Sequence, residues 1–450
     1  MRLPTNPPSL ESIFAKLQPE QLGAVFREFA SVGKGAGERY FHWDELRRRP
    51  PLDGFDHEQC WLRLKLARQG QYKHLPLLDK YGVPFVLASP ELLLIDLHHI
   101  DRDAAGKIAV PGEVTGEQRN RFLFHSMIEE AITSSQLEGA ATTRRVAEKM
   151  LREGRVPRDL SERMIFNNLR AMEMIRDIRN EPITPQRILD LHRLLTEDTF
   201  ENPEEAGRLR TSDDVVVHDR RDHTVLHQPP AWGELPERLE RLCAFANMSE
   251  GDAPFVHPVA RAILLHFMIG YDHPFADGNG RTARALFYWA MARSGYWLIE
   301  FISISQFLRK APSQYVRAYL HTESDDNDST YFVLHQTGTI RRAITALHDY
   351  LNRATAEQQQ TERLLSASTA LRTSLNHRQK VLLTHALKHP GDEYRVDSHQ
   401  RTHGVVYQTA RADLLGLEEL GLLLKEKHGK AFVFVAPADL SMRLTQMAQA

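Results

Sequence analysis

At 450 residues the chain has room for two or three domains, each with an ample core. Hydrophobic residues make up 42% and charged residues 26%, the balance of a soluble globular protein. Lys and Arg number 57 against 59 Asp and Glu, a net charge of -2, so no global field calls for nucleic acid or a membrane. The two cysteines, Cys60 and Cys243, lie in distant segments, which argues against a disulfide framework and for a reducing, cytoplasmic compartment. The first residues lack the apolar run of a signal peptide, and no apolar stretch approaches the roughly 18 residues that a membrane helix needs.

Residues 1–110 read as helices broken by proline-rich turns. One helix is expected from Ser9 to Phe29 and another from about Asp56 to Arg68, packing through Trp61, Leu62, Leu64 and Leu66. Arg47, Arg48 and Arg49 form a solvated basic turn before Pro50. His98 to Asp103 has the look of a kinase catalytic loop. With no Gly-rich loop, strand Lys or DFG, that idea fails.

A helix from about Glu117 to Ser135 offers Phe122, Phe124, Met127, Ile128, Ala131 and Ile132 to a core. It ends in Ser134-Ser135-Gln136-Leu137-Glu138-Gly139, where Gly139 suits a C-terminal cap. Glu138 is oddly placed, because an anion at a helix C-terminus is disfavoured and wants a cation. Further helical periods cover Ala147 to Leu151, Met164 to Ile178 and Pro185 to Leu195. After Gly207-Arg208-Leu209-Arg210, the runs Val215 to Val217 and Thr224 to Leu226 read as a β-hairpin about a polar turn, bounded by Pro229-Pro230. His223 and His227 have the spacing of helical metal ligands but would not converge in a strand, so metal binding is rejected there.

The chemistry is expected in His273-Pro274-Phe275-Ala276-Asp277-Gly278-Asn279-Gly280-Arg281-Thr282-Ala283-Arg284. Val259, Ile263, Leu264, Phe267 and Met268 predict a helix from about Pro258 to Tyr271, and Pro274 ends it at His273. Gly278 and Gly280 permit a tight turn, and Ala283, Leu286, Phe287, Ala290 and Met291 carry a second helix from Asn279. Arg281 and Arg284 stand at that helix's N-terminus, whose partial positive charge makes two arginines unfavourable unless an anion lies among them. Free amides and two guanidinium forks suit phosphate oxygens. Asp277 supplies an oxygen of the kind Mg²⁺ uses when it also holds phosphates, and His273 can accept a proton from a hydroxyl. The pattern points to group transfer from a Mg²⁺-bound polyphosphate.

Downstream, Ser313 to Tyr319 is helical, and Ser324-Asp325-Asp326-Asn327-Asp328, lacking the Gly and final Glu of a calcium loop, reads as a solvated turn. A polar helix from about Ile340 to Ser368 looks like a connector. Arg378 to Lys388, Tyr407 to Leu420 and a hairpin over Leu422 to Lys427 and Ala431 to Val435 then form a helix, helix, hairpin unit that resembles a winged helix. Its Asp413, Glu418 and Glu419 weaken any footprint on DNA.

The twelve residues from His273 match the whole HxFx(D/E)GNGRxxR signature of the Fic-domain family, which the chain resembles over about residues 115–335. The segment FHWDELRRRPPLDGFDHEQCWLRLKLAR is similar to an N-terminal helical extension of some members. The resemblance implies a mainly α fold: an extension over 1–110, a helical Fic catalytic domain with a β-hairpin flap over 111–340, a connector over 341–370 and a winged helix over 371–450. It implies transfer of AMP from ATP to a Ser, Thr or Tyr hydroxyl of a target protein or of the chain itself. His273 would then be the base, Asp277 the Mg²⁺ ligand, and Asn279 with the Gly278–Gly280 backbone the α-phosphate cradle. Arg281 would hold the β-phosphate and Arg284 the γ-phosphate, over a loop shaped by Phe275. Ser134, Glu138 and Gly139 match the family's inhibitory motif, in the class whose inhibitory helix precedes the catalytic loop, with Glu138 paired to Arg284. Tyr315 and Tyr319 would approach the adenine, although buried core suits both better. The target would lie along the flap at 211–228. A homodimer and DNA bound through 371–450 are further partners this reading allows. Removal of AMP using Glu138, or a DNA-binding regulator with a nucleotide-sensing site, are its alternatives.

Overall fold

In a computed structural model the chain is mostly helical, with small antiparallel sheets among the described residues. The structure describes residues 2–28, 39–105, 116–219, 221–366, 375–428 and 431–449. No helix among them is long and apolar enough to cross a membrane, and Cys60 and Cys243 are buried free thiols.

The helix expected from Ser9 to Phe29 is instead two, α1 (Leu10–Phe14) and α2 (Pro19–Glu28), because Pro19 disfavours the helical conformation at Gln18. Phe29 lies outside the described residues. A short α3 (Trp43–Leu46) and α4 (His57–Gln69) follow, the latter opened by an Asp56–Gln59 capping box. Ile13, Val25, Trp61 and Leu62 form a small core there, with Leu64 and Leu66 packed against it. Sequence reasoning missed the hairpin β1 (Lys73–Leu78) and β2 (Pro84–Leu87). Its prolines argue against a strand, yet a two-stranded ribbon is all edge and tolerates them. The HHIDRD run lies where α5 (Glu91–Ile100) passes into a π-helical turn.

The main core is built by α6 (Gly116–Leu137), α7 (Arg144–Glu153), α8 (Leu160–Asp177), α9 (Pro185–Thr196), α10 (Leu235–Ala246), α11 (Pro258–Asp272), α12 (Asn279–Arg293), α13 (Ile304–Lys310), α14 (Pro312–Ser324) and α15 (Thr330–Ser366). α11 is mostly apolar and buried on nearly every face, and it lies at the centre, packed along α12. The flap strands, β3 (Val217–His218) and β4 (Val225–His227), are shorter than expected. Val215 and Val216 stay outside the ladder, since the chain before them is tied down at Asp213, which takes Arg210 and the Trp232 amide. Arg220 in the expected turn is outside the described residues. α15 is continuous from the core: Ile340, Ala343, Ile344, Leu347 and Leu351 are buried in it, so the expected connector boundary at 340/341 falls inside a packed helix. Residues 367–374 are not described.

The acidic run at 324–328 is not a solvated turn. Asp325 meets Lys65 at 2.7 Å with both side chains 1% exposed, while Tyr40 and Tyr72 donate to Asp328 at 2.6 and 2.9 Å. Arg68 donates to the Tyr331 hydroxyl, which donates to Asp325. This buried network fastens α4 to the start of α15. Lys65→Ala leaves the buried Asp325 with Arg68, 4.0 Å away, as its remaining cation and no hydrogen bond from one, so stability should fall by about 3 kcal/mol, the low end for a broken buried pair. Thermal unfolding checks this; a loss within about 0.5 kcal/mol, typical of a surface site, would contradict the assignment.

The C-terminal unit comprises α16 (His377–Lys388), β5 (Glu393–Tyr394), α17 (Val396–His403), α18 (Tyr407–Glu419), β6 (Leu424–His428), β7 (Ala431–Val435) and α19 (Leu440–Gln449), with sheet order β5-β7-β6. The polar, eight-residue α17 was not foreseen. Leu383, Leu414, Leu417, Leu422 and Phe434 give the unit its own core. Asp413, expected on the surface, is buried against Asn376, Arg378 and His399. Burial alone would raise its carboxyl, but those hydrogen bonds hold it far below the usual range.

Candidate active site

Helix α11 ends at His273, whose φ of 44° and ψ of 56° are left-handed, and Gly278 (φ 81°) turns the chain into α12. A β-carbon at Gly278 would also press on Thr196 and His192, so glycine is required there on two counts. Between them the loop is closed by Asn279, which accepts from the Phe275 amide at 3.0 Å and donates to the Phe275 carbonyl at 2.8 Å. Its carboxamide is thereby committed to loop shape, and what this turn offers a ligand is its backbone. Phe275 is fully buried and lies parallel to the His192 ring, 3.7 Å away.

Sequence reasoning missed His192. The Gly207 amide donates to its Nδ1 at 2.9 Å, which leaves the proton on Nε2 to donate to the Asp277 carbonyl, also at 2.9 Å. Burial holds its pKa at about 4, so this bridge is a neutral imidazole at physiological pH. Arg210 was also passed over. Its Nε donates to the His273 carbonyl at 3.0 Å, its Nη2 to the Pro230 carbonyl, and its own amide to the Pro274 carbonyl at 2.9 Å. The base of the flap and the loop are one hydrogen-bonded unit. The only local signals were a His on the buried face of an amphipathic helix and an Arg before a predicted strand, and neither names a partner.

The His273 ring donates from Nδ1 to the Gly270 carbonyl at 3.2 Å, leaving Nε2 as the proton acceptor. Burial lowers its pKa; the Gly270 carbonyl opposes that shift and nearby His227 adds to it. Asp277 faces outward, 68% exposed, with Oδ2 3.5 Å from Arg281 Nη2. No group of three or more His, Cys, Asp or Glu that could hold a metal occurs among the described residues. A single outward carboxylate at this glycine-rich turn is chemically compatible with Mg²⁺, which takes one or two carboxylates when phosphate and water fill its remaining positions.

The two arginines differ. Arg284 Nε donates to Ser134 Oγ at 2.8 Å, and its Nη2 to the Ser134 carbonyl at 3.1 Å and Glu138 Oε1 at 2.7 Å. Arg281 is equally buried and spends Nη1 on the Leu195 carbonyl, but its Nε and Nη2 have no hydrogen-bond partner among the described residues. Burial lowers the pKa of Arg281; at Arg284 burial is again the largest influence and acts downward, but the Glu138 charge and hydrogen bond, with Tyr315 and Glu130, together leave a net upward shift. A β-carbon at Gly280 would collide with Glu138 Oε1, so that carboxylate lies against the first turn of α12. An anion already rests where the sequence called for one. Gly139, at φ 103°, turns the chain away directly afterwards. Tyr315 and Tyr319 pack inward, Tyr315 on His266 at 2.8 Å and Tyr319 on Phe267 and Phe332.

A model of the Fic/DOC family matches residues 182–291, a span that includes His192, Arg210 and the loop but not Glu138. The chain is 39% identical over 120 residues to a protein adenylyltransferase Fic of Nematostella vectensis, covering 26% of this chain and 25% of that protein. It is 34% identical over 114 residues to a protein of the same name from Drosophila grimshawi, covering 25% and 21%. The matched segment thus spans about a quarter or less of these relatives. Among solved structures, a Fic family protein from Desulfovibrio desulfuricans G20 aligns with a TM-score of 0.47 at 18% identity, covering 77% of this chain and 95% of that one.

Proposed function

Because the chain carries a Fic/DOC-family domain over residues 182–291, we propose that it is a protein adenylyltransferase acting on a Ser, Thr or Tyr hydroxyl of a target protein or of itself. The observation that carries this is Arg281: a buried guanidinium at a helix N-terminus, two of whose nitrogens make no hydrogen bond among the described residues and whose only ion pair there is a long one to the exposed Asp277, beside a second arginine that already holds a carboxylate. Such a cluster is under-compensated until a polyphosphate enters.

The substrate hydroxyl gives its proton to His273 Nε2 and its oxygen attacks the α-phosphorus. The bond to the bridging oxygen breaks, pyrophosphate leaves, and AMP stays on the target as a phosphodiester. The amides of Gly278, Asn279 and Gly280 face the α-phosphate, and Arg281 and Arg284 take the β- and γ-phosphates. Asp277 would hold Mg²⁺, which neutralises phosphate charge when bound. The target segment lies along the flap at 211–228 by backbone pairing, which presents its hydroxyl without demanding a particular side chain. Glu138 supports an inhibited ground state, since it occupies Arg284 and the α12 N-terminus.

Incubating the protein with ATP labelled at either the α- or the γ-phosphate tests the reaction class. Label should enter protein from the α position alone; γ-label in protein would replace this reading with phosphoryl transfer.

A further inference from the structure

The three residues that lead into the catalytic loop are each held by a basic side chain. Arg210 holds the His273 carbonyl, Arg238 holds the Asp272 carboxylate at 2.9 Å, and His227 holds the Tyr271 carbonyl at 2.7 Å. The first and third come from either end of the flap. An arginine keeps its charge at any accessible pH, so among these three grips only the one made by His227 can be released by losing a proton.

His227 is buried at the end of β4, its ring 4.6 Å from that of Tyr271. Its Nε2 faces the Tyr271 carbonyl, which only accepts, so this nitrogen carries a hydrogen. Its Nδ1 lies 2.6 Å from Glu323 Oε2 on α14, a length typical of a charge-assisted bond to a carboxylate. Both ring nitrogens therefore face acceptors, and turning the ring over would set ring carbons against the Glu323 carboxylate and the Tyr271 carbonyl instead. The contacts are satisfied together by an imidazolium beside a carboxylate. The other charged groups around it are Asp272 and His273 at the end of α11, Arg238 on α10, and Lys80 of the β1–β2 turn, which donates to the Gln228 carbonyl at 3.0 Å.

We propose that His227 is a positioning residue for His273: as an imidazolium clamped by Glu323 it fixes the last turn of α11 and the flap, and loss of its proton unlatches both. Deprotonation would leave a lone pair opposite the Glu323 carboxylate, so the flap base separates from α14. This rests on the adenylyltransferase reading, and it predicts an alkaline limb in the rate that His273, needed deprotonated, cannot supply.

Glu323→Gln separates charge from geometry. Its amide can donate to Nδ1 of a neutral His227 while Nε2 still donates to Tyr271, so the latch should survive at high pH. In a Glu138→Gly background the alkaline limb should vanish in Glu323→Gln. His227→Gln should lower kcat by about ten- to a hundredfold with KM for ATP unmoved. Side-chain ¹⁵N spectra of the full chain should show His227 protonated at both nitrogens below the limb, and hydrogen exchange at 215–228 should accelerate across it. An unprotonated Nδ1 at neutral pH, or an unchanged limb in Glu323→Gln, overturns the proposal. Were no adenylylation found at all, the spectra and the exchange would still decide the latch, so the two readings fail separately.

Discussion

Glu138→Gly is expected to raise AMP incorporation by about 10- to 100-fold. The carboxylate lies 2.7 Å from Arg284 Nη2 and against the first turn of α12, so an incoming γ-phosphate must displace it. A hydrogen bond to a charged group contributes about 1.5–3 kcal/mol. Glu138 is 22% exposed while Arg284 is almost fully buried, which places this pair toward the lower half of that range. About 1.4 kcal/mol is tenfold in a two-state population, hence the range given. Residue 138 lies just beyond the last residue of α6, so glycine there disturbs little helix. The variant should also lose thermal stability without nucleotide and regain it with ATP, because the freed Arg284 stays buried until a phosphate replaces the lost anion. Equal labelling by the wild type and the variant would remove Glu138 from regulation, whatever the enzyme's activity.

The helix–loop–helix was legible because its determinants are local. Proline after His273 and glycines at 278 and 280 are backbone instructions, and the arginines at 281 and 284 conflict with the helix dipole in a way only an anion resolves. Glu138, an anion at a helix C-terminus, is a weak signal by itself, since an exposed Glu before a capping glycine is common; its pairing with Arg284 is expected from the resemblance of Ser134, Glu138 and Gly139 to the family's inhibitory motif. What could not be read is the set of partners brought in from afar. His192 looks like one more residue of α9 until the Asp277 carbonyl is placed against it, 85 residues on. The acidic run at 324–328 is indistinguishable in composition from a solvated turn, and only Lys65, 260 residues away from Asp325, makes it an interior network. The β1–β2 hairpin was hidden by its own prolines. Local conflicts with elementary electrostatics announced the site, whereas the supports that hold it still are tertiary and silent.

His273→Ala, made in the Glu138→Gly background, should abolish labelling. Losing a positioned general base typically lowers the rate by about 10²–10⁴, enough to cancel the gain from removing Glu138. Nucleotide affinity should be kept, since Arg281, Arg284 and the α12 amides do not touch the imidazole and the His273 amide still caps α11 through the Ile269 carbonyl. The fall thus belongs in kcat, and calorimetric titration with ATP should give the same Kd as the single variant. Alanine suits the left-handed backbone at 273 somewhat less than histidine, but the Arg210 and Asn279 hydrogen bonds that hold the loop remain, so folding should survive. In the parent the pH profile carries the same signature. Burial, chief among the causes, sets the His273 pKa below its ordinary value, so in the folded enzyme Nε2 is already unprotonated near neutrality. Activity should be flat there and fall on acidification only below the usual imidazole range of about 6.5. The same sign applies to stability: a histidine whose folded pKa is depressed contributes fully above its unfolded value and destabilises as the pH drops toward the folded one. A double variant that still labels protein from α-labelled ATP would show that another group takes the hydroxyl proton, and the assignment of His273 as base would fall with it.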